Sequence, residues 1–356
     1  MIVEPPLPAE DLALVLRATA PLWPELRGAR LLITGGTGFF GRWILESLLA
    51  ANAEWRLGIH ATVLSRAPGE FLKRVPHLAS VTQLKWVTGS VATCAPELFA
   101  GDRYSGVIHL ATEADGRATL TAPLAAIDVI ANGTGRVLEV ARRTGASRFL
   151  FASSGSVYGL QPPEVELIPE DFPGAPDPTD MTGAYAISGA AKRHAELLCA
   201  AYAQEHGLGT VIARGFTFAG PGLPLDGKFA FGNFLQDALA GRPIVITGDG
   251  TPIRSYLHAI DLTTWLWTML VRGSAGCVYN LGSENAVSLC EVASAIAREL
   301  GSPGVTVLQT SRLGAVPHRY VPSTRRARDE LSLRETIGLK DAIRLSAAWH
   351  RTMGKH

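Results

Sequence analysis

Residues 31–41 read LLITGGTGFFG, an apolar strand running into Thr34, Gly35, Gly36, Thr37, Gly38 and Gly41. Gly35 permits a tight turn out of the strand, Gly38 lets backbone N–H groups approach a pyrophosphate, and Gly41 lets a following helix pack on the sheet. The amphipathic run RWILESLLAA (42–51) supplies that helix, whose N-terminus then faces the anion. Gly-rich turns between strand and helix also occur for structural reasons alone. The placement of this one, between an apolar strand and an amphipathic helix, favours a dinucleotide site.

Working outward, short aliphatic runs alternate with helical patterns, the signature of a parallel sheet with helices on both faces. The strands expected are ARLLITG (29–35), HATVLS (60–65), LKWVTG (84–89), GVIHLA (106–111), RFLFASS (148–154) and GTVIARG (209–215). Helices are expected after Gly41, around TGRVLEVARRTG (134–145) and from Tyr185 through ELLCAAYAQEHG. From about Pro221 the rhythm shifts to proline and glycine turns with shorter elements. The expected organisation is an N-terminal extension (1–28) laid outside, a dinucleotide-binding domain (29–220) and a smaller, mainly substrate-binding lobe (221–356) with some segments returning to the first domain.

The composition narrows the partners. With 33 basic and 32 acidic residues the net charge is +1, which leaves no electrostatic footprint for nucleic acid or membrane. The four cysteines (Cys94, Cys199, Cys277, Cys290) are scattered and form no CxxC, so neither a disulfide frame nor a metal site is expected. The opening MIVEPPLPAEDLALVL carries acid and proline where a signal peptide needs basic charge and an apolar run. No apolar run approaches the roughly 20 residues of a membrane span. Cytoplasmic residence is the expectation by default.

The GxxGxxG spacing of Gly35, Gly38 and Gly41 resembles the short-chain dehydrogenase/reductase superfamily, and TGGTGFFG (34–41) resembles its extended, nucleotide-sugar-modifying branch. The resemblance implies a Rossmann-type α/β fold, a doubly wound parallel sheet with a smaller C-terminal substrate lobe. It implies a cofactor cradle of Gly35, Thr37, Gly38, Phe39, Phe40 and Gly41, joined by Leu110 and Ala111 of GVIHLAT (106–112), which is similar to the family's HLAA turn. The second strand ends in Ser65 and Arg66, where an NAD enzyme would place an acidic residue on the adenosine ribose. A guanidinium beside a small hydroxyl suits a 2′-phosphate, so NADP is favoured over NAD, with a merely solvated Arg66 as the alternative. Ser90 stands where the family has an Asp near the adenine, and His109 reads as a packed strand histidine.

For the chemistry, the resemblance implies that Ser154, in FLFASSGSVYG (149–159), hydrogen-bonds the sugar oxygen being oxidised. The next positions are Gly155 and Ser156, where nucleotide-sugar 4,6-dehydratases carry an Asp–Glu pair. Glycine has no acid or base to offer and serine is a poor one. This departure favours epimerisation over elimination. A second departure lies in GAYAISGAAKRHAELLCAAY (183–202), which resembles the helix of the superfamily's Tyr-x-x-x-Lys pair. Four residues after Tyr185 comes Gly189, whereas Lys192, Ala195 and Glu196 fit the family's lysine and its downstream pattern. Either Ser188 occupies the tyrosine slot or about three extra residues separate Tyr185 from Lys192. Residues seven apart still share a helical face, about 10 Å apart along the axis. Lys192 would hold the nicotinamide ribose, and the identity of the base stays open between Tyr185 and Ser188.

Downstream, VIARGFTFAGPG (211–222) resembles the family's Arg-x-x-x-x-x-Gly-Pro strand through Arg214, Gly220 and Pro221. KFAFGNF (228–234), with Asn233, resembles the segment that contacts the nucleotide diphosphate. GDGTPIRSYLHAIDL (248–262) resembles the family's GDG-x-x-x-R segment, in which Arg254 would bind a diphosphate oxygen. Asp261 reads as a structural pin, and Arg319 and Arg325 have no motif that separates ligand contact from solvent. The resemblance thus implies an NAD(P)-dependent nucleotide-sugar epimerase/dehydratase working through C4 oxidation of a nucleotide-diphosphate sugar, with epimerisation favoured over a standard 4,6-dehydratase. It also implies a homodimer packed through VLEVARR (137–143) and AELLCAAYA (195–203). The disturbed Tyr/Lys spacing keeps open a catalytically weak, cofactor-holding binding or regulatory protein.

Overall fold

The computed structural model describes residues 3–112, 116–225, 229–311 and 314–353. Seven strands form one parallel sheet: β1 (Arg30–Thr34), β2 (His60–Ser65), β3 (Leu84–Thr88), β4 (Gly106–His109), β5 (Arg148–Ser154), β6 (Gly209–Gly215) and β7 (Val278–Leu281). Their order is β7-β6-β5-β4-β1-β2-β3. The chain runs outward from β1 through β2 to β3 and then returns to β4 on the other side. The topological switch therefore lies between β1 and β4, where an open parallel sheet binds ligands at its C-terminal edge. The first six strands coincide with the aliphatic runs of the sequence, because strands buried on both faces read as continuous Val/Ile/Leu segments.

The helices are α1 (Ala9–Thr19), α2 (Phe39–Trp55), α3 (Gly133–Thr144), α4 (Ala184–His206), α5 (Ala230–Leu239), α6 (Ala259–Arg272), α7 (Leu289–Leu300) and α8 (Leu339–His350), with shorter helical turns between them. The helix expected after Gly41 begins earlier, at Phe39. The Gly38 N–H closes the turn onto Gly35 O at 3.1 Å, and Arg42 N already bonds Gly38 O at 2.9 Å. Helix α1 lies outside the sheet and packs on α2 and α6. The segment before it is tied down by charge: Glu4 pairs with Arg42 at 2.6 Å and Arg74 at 2.7 Å, and Arg42 pairs with Glu46 at 2.7 Å. One cluster of buried apolar residues fills the space between the sheet, α2 and α6, including Trp23, Trp43, Trp265 and Trp267.

Beyond residue 220 the chain contributes to both layers. Helix α6 and β7 pack in or against the large sheet. A separate apolar cluster joins α5, α7 and α8 with the paired strands Ile244–Ile246 and Val305–Val307. Between the two bodies run short ladders: Phe218–Ala219 with Leu257–His258, and Ile253–Arg254 with Val287–Ser288. Asp261 accepts bonds from the backbone N–H groups of Thr336 at 2.9 Å and Ile337 at 3.0 Å, which fastens the C-terminal segment onto α6. Among the described residues, no helix is long and apolar enough to cross a membrane.

Candidate active site at the strand C-termini

The β1–α2 loop is shaped by two contacts that tolerate no side chain. Gly35 has φ +72°, and a Cβ there would meet Ala111 N at 2.6 Å and the Leu110 carbonyl carbon at 2.7 Å, the backbone just past β4. A Cβ on Gly41 would run into Gly35 O and Gly36 Cα. Gly38 differs. It is exposed, and a Cβ would touch only Gly35 O, at an ordinary 3.4 Å. Protein packing explains two of the three glycines, and the third stands before open space at the start of α2. That helix has no capping side chain at Gly38, so its first N–H groups remain free to receive an anion. The cradle fits a dinucleotide pyrophosphate.

The switch point itself is held by a chain of hydroxyls. Thr134 donates to Ile130 O at 2.6 Å, so its oxygen accepts the His109 Nε2–H at 3.0 Å. His109 Nδ1 then accepts from the Thr34 hydroxyl at 2.6 Å, and Thr34 in turn accepts from Ala111 N at 3.3 Å. Complete burial, then the charge of Lys192, pulls the His109 pKa down to about 3. His109 is a neutral bracket, unable to gain a proton near neutral pH.

At the outer end, the Thr37 and Ser65 hydroxyls lie 3.4 Å apart, joining the loop to the tip of β2. Arg66 is exposed beside them. Phe40 stacks edge-on against Phe218 at 4.9 Å, and Phe39 lies against Phe40 at 5.9 Å, walling the start of α2. Ser90 accepts a bond from Ala92 N at 3.2 Å and caps a short turn.

Strand β5 outruns β4. The two pair only as far as His109 with Phe151, while β5 continues beside β6 to the pair Ser154 and Gly215. Alternation sends Ser153 toward α4, where it donates to Glu196 at 2.5 Å, and leaves Ser154 half-exposed at the edge. Helix α4 is continuous from Ala184 to His206, so Tyr185 and Lys192, seven residues apart, stand on one helical face. Ser188 stands four residues before the lysine, its hydroxyl turned back onto Ala184 O at 2.8 Å. Lys192 is buried, donates to Ala152 O at 2.7 Å and lies 4.6 Å from the centre of the Phe151 ring. Burial pulls its pKa to about 8, with Glu196 opposing. Glu196 also pairs with Arg214 at 2.6 Å, which places Arg214 beneath the strand ends.

Gly189 costs about 1 kcal/mol inside a helix relative to alanine. Its packing repays that cost, because a Cβ there would strike Ser156 O. A lysine at 189 would not fit. Tyr185 instead reaches over the turn after β5, its hydroxyl 3.3 Å from Gly159 O, and burial, then neighbouring Tyr320, pushes its pKa well above the ordinary range.

The sequence reading missed Tyr320. Its segment is threaded between two others: Ile253 N bonds His318 O at 2.9 Å, Tyr320 N bonds Ile253 O at 3.1 Å, and Ile168 N bonds Val321 O at 3.0 Å. The ring lies 4.5 Å from Phe216 and 5.6 Å from Tyr185. A Cβ on Gly155 would meet the Tyr320 Oη at 2.7 Å and Phe216 Cζ at 2.7 Å. The space above Gly155 is thus filled by a phenol and a phenyl ring, and the buried Ser156 hydroxyl has no hydrogen-bond partner among the described residues. Only the bare Gly155 signalled this, since nothing near residue 320 forms a motif.

Arg254 is half-buried, bonds Ile253 O at 2.8 Å and His318 O at 3.1 Å, and lies 5.8 Å from the Tyr320 ring. Asn233 is half-buried on α5, and Lys228 lies outside the described residues. Arg319 donates to Glu166 O at 2.7 Å, and Arg325 pairs with Asp329 at 3.3 Å on the surface.

Residues 31–282 match the profile of the NAD dependent epimerase/dehydratase family. The chain belongs to this family. It is 26% identical over 326 residues to a dTDP-glucose 4,6-dehydratase of Streptomyces niveus, covering 90% of this chain and 93% of the relative. It is 27% identical over 327 residues to UDP-glucuronic acid decarboxylase 1 of Xenopus tropicalis, covering 92% and 73%. The fold is shared with the dTDP-glucose 4,6-dehydratase DesIV of Streptomyces venezuelae, solved with NAD and TYD bound, at TM-score 0.76, 24% identity and coverage of 90% and 97%.

The three loop glycines separate fold from binding. Gly41→Ala should lower the melting temperature, because backbone must move. Gly38→Ala should leave melting unchanged and weaken dinucleotide binding by roughly tenfold or more, the loss of one or two hydrogen bonds to a charged group. A Gly38→Ala protein that titrates with NAD like the wild type would contradict this assignment.

Proposed function

We propose that this protein is an NAD(P)-dependent nucleotide-sugar epimerase that oxidises C4 of a nucleotide-linked hexose and reduces the resulting 4-keto sugar without losing water. The observation that carries this reading is the filled space above Gly155. At the two positions where an eliminating enzyme needs a carboxyl pair, this chain has Gly155 and Ser156, and the room for a larger side chain at the first is taken by Tyr320 and Phe216. Bound oxidised nicotinamide would accept the C4 hydride and give it back. The chain's own part is to bind, orient and move the proton. Gly35, Thr37, Gly38, Phe39, Phe40 and Gly41, with Leu110 and Ala111, would hold the dinucleotide. Ser154, half-exposed beyond β4, would orient the sugar hydroxyl. Lys192 would reach the nicotinamide ribose from below with one of the protons not given to Ala152 O. Ser188, hydrogen-bonded to its own helix, keeps the tyrosine slot without a phenol. Asn233 and Arg254 would meet the diphosphate.

The decarboxylating relatives supply a second reading that the same observation favours. Oxidation at C4 of a hexuronate yields a β-keto acid, which releases carbon dioxide without an elimination pair. The cofactor reading follows Ser65 and Arg66: no carboxylate ends β2, and an exposed guanidinium there suits NADP. A homodimer would cover the apolar side of α4, where Leu197 is 66% exposed, together with the neighbouring face of α3.

Incubation with UDP-, dTDP-, GDP- and CDP-hexoses should yield a C4 epimer of at least one, with no deuterium at C5 in heavy water. A 4-keto-6-deoxy product would overturn epimerisation, and carbon dioxide from a nucleotide hexuronate would select the second reading. Arg66→Ala should weaken NADP far more than NAD in a binding titration, and equal losses would rule out the 2′-phosphate contact. Light scattering at micromolar concentration should give twice the 37.8 kDa chain mass, and a monomer would refute the helical interface.

A further inference from the structure

We propose that the Tyr320 hydroxyl is the catalytic proton carrier of this site, taking the place that Ser188 leaves vacant on α4. The inference rests on the C4-oxidation reading above and names the atom that serves it. Tyr320 Oη stands over Gly155, at the end of the strand that presents Ser154, and within 3.4 Å of Gly215 O at the end of β6. It is thus held at the paired tips of β5 and β6, beside the hydroxyl assigned to the sugar.

Four groups from four elements face it: the Ser154 hydroxyl from β5, the Gly155 N–H from the turn after it, the Tyr185 hydroxyl from α4 and the Arg254 guanidinium from the Ile253–Arg254 strand. All four favour the phenolate, whereas burial opposes it, leaving the pKa pushed up to about 12, and the Gly215 carbonyl that accepts the hydroxyl's own proton also holds the neutral form. Tyr185 is the contrary case. Burial and Tyr320 both disfavour its anion, and of its neighbours Arg254 alone favours it. Of the two phenols, Tyr320 is the one that stands over Gly155 beside Ser154, whereas the Tyr185 hydroxyl donates to Gly159 O at 3.3 Å. The orientation is also fixed. Tyr320 is stacked between Phe216 and Tyr185 and anchored through its backbone on Ile253, so its oxygen has little freedom to leave the strand tips.

In the step this geometry supports, Tyr320 first loses its own proton to solvent, and its phenolate oxygen then takes the proton of the O–H bond that breaks at sugar C4. The electron pair released on the sugar oxygen forms the C4 carbonyl as the hydride leaves carbon for the oxidised nicotinamide. Epimerisation follows when the ketone turns its opposite face and the hydride and the proton return to C4 and its oxygen there. Such proton transfer by a placed side chain is worth on the order of 10²–10⁴-fold in rate.

The test uses the nucleotide hexose that the wild-type protein converts fastest. Tyr320→Phe should lower kcat by on the order of 10²-fold or more while leaving KM, binding of the matching nucleoside diphosphate and of cofactor by calorimetry, and melting temperature unchanged. Wild-type kcat should rise with pH along a limb that Tyr320→Phe abolishes and Tyr185→Phe retains. Should Tyr320→Phe fail to fold, 3-fluorotyrosine introduced into the Tyr185→Phe protein decides the matter. Its more acidic phenol should move the limb to lower pH, and an unmoved limb overturns the proposal. Undiminished kcat in Tyr320→Phe, or a limb that survives the substitution, also overturns it while leaving the epimerase reading intact. Failure of the wild-type protein to convert any nucleotide sugar would instead defeat that reading and this inference with it.

Discussion

The site depends on backbone pressed against backbone at positions where no Cβ can stand. Gly35 lies on the Leu110–Ala111 peptide and Gly41 on Gly35 and Gly36, so the turn after β1, the end of β4 and the start of α2 form one rigid body. Gly189 does the same for α4 on Ser156. Close packing transmits such contacts without slack, because interiors are as dense as organic crystals. An added methyl at any of them would swing a helix and move every group the helix carries. The free N–H groups of α2 and the buried Lys192 are therefore aimed from the sheet by contacts that involve neither residue directly.

Around this frame the polar groups divide by what they can still do. Thr34, His109 and Thr134 bond one another in a closed chain, and burial keeps the imidazole neutral. Glu196, Ser153 and Arg214 form a second closed set beneath β5 and β6. Both sets hold strand ends in register, and satisfied buried networks rigidify a site more than they react. What remains open lies above the strand tips: the half-exposed Ser154, the free space at Gly38 and the half-exposed Tyr185, with the Tyr320 phenol buried beneath them. Lys192 sits between these classes, bonded to Ala152 O by one proton and able to offer others.

The chain's kinship carries family and fold but not the sugar or the outcome. Relatives of nearly equal identity bear the names of a dehydratase and a decarboxylase. Above β5 this chain holds Gly155, Ser156 and a tyrosine arriving from the far end of the chain.

Local sequence determined what local physics controls. Aliphatic runs marked β1 to β6 because a strand buried on both faces needs them, and the glycine spacing marked the cradle because a tight turn and a close helix each exclude a side chain. The absence of a carboxyl pair at Gly155 and Ser156 was legible for the same reason, since chemistry requires a residue type. The seventh strand was not legible, because Asn280 interrupts the aliphatic run of Val278–Leu281 (VYNL). The spacing between Tyr185 and Lys192 admitted two accounts, and the structure adds that Tyr185, Ser188 and Lys192 all stand on one unbroken helix from Ala184 to His206. Tyr320 was invisible for a deeper reason. Its position above Gly155 comes from bonds to Ile253 and from the paired segments at Ile168 and Val321, contacts between distant stretches that no period or motif records. The sequence carries the bare place at 155, and tertiary structure alone decides which side chain fills it.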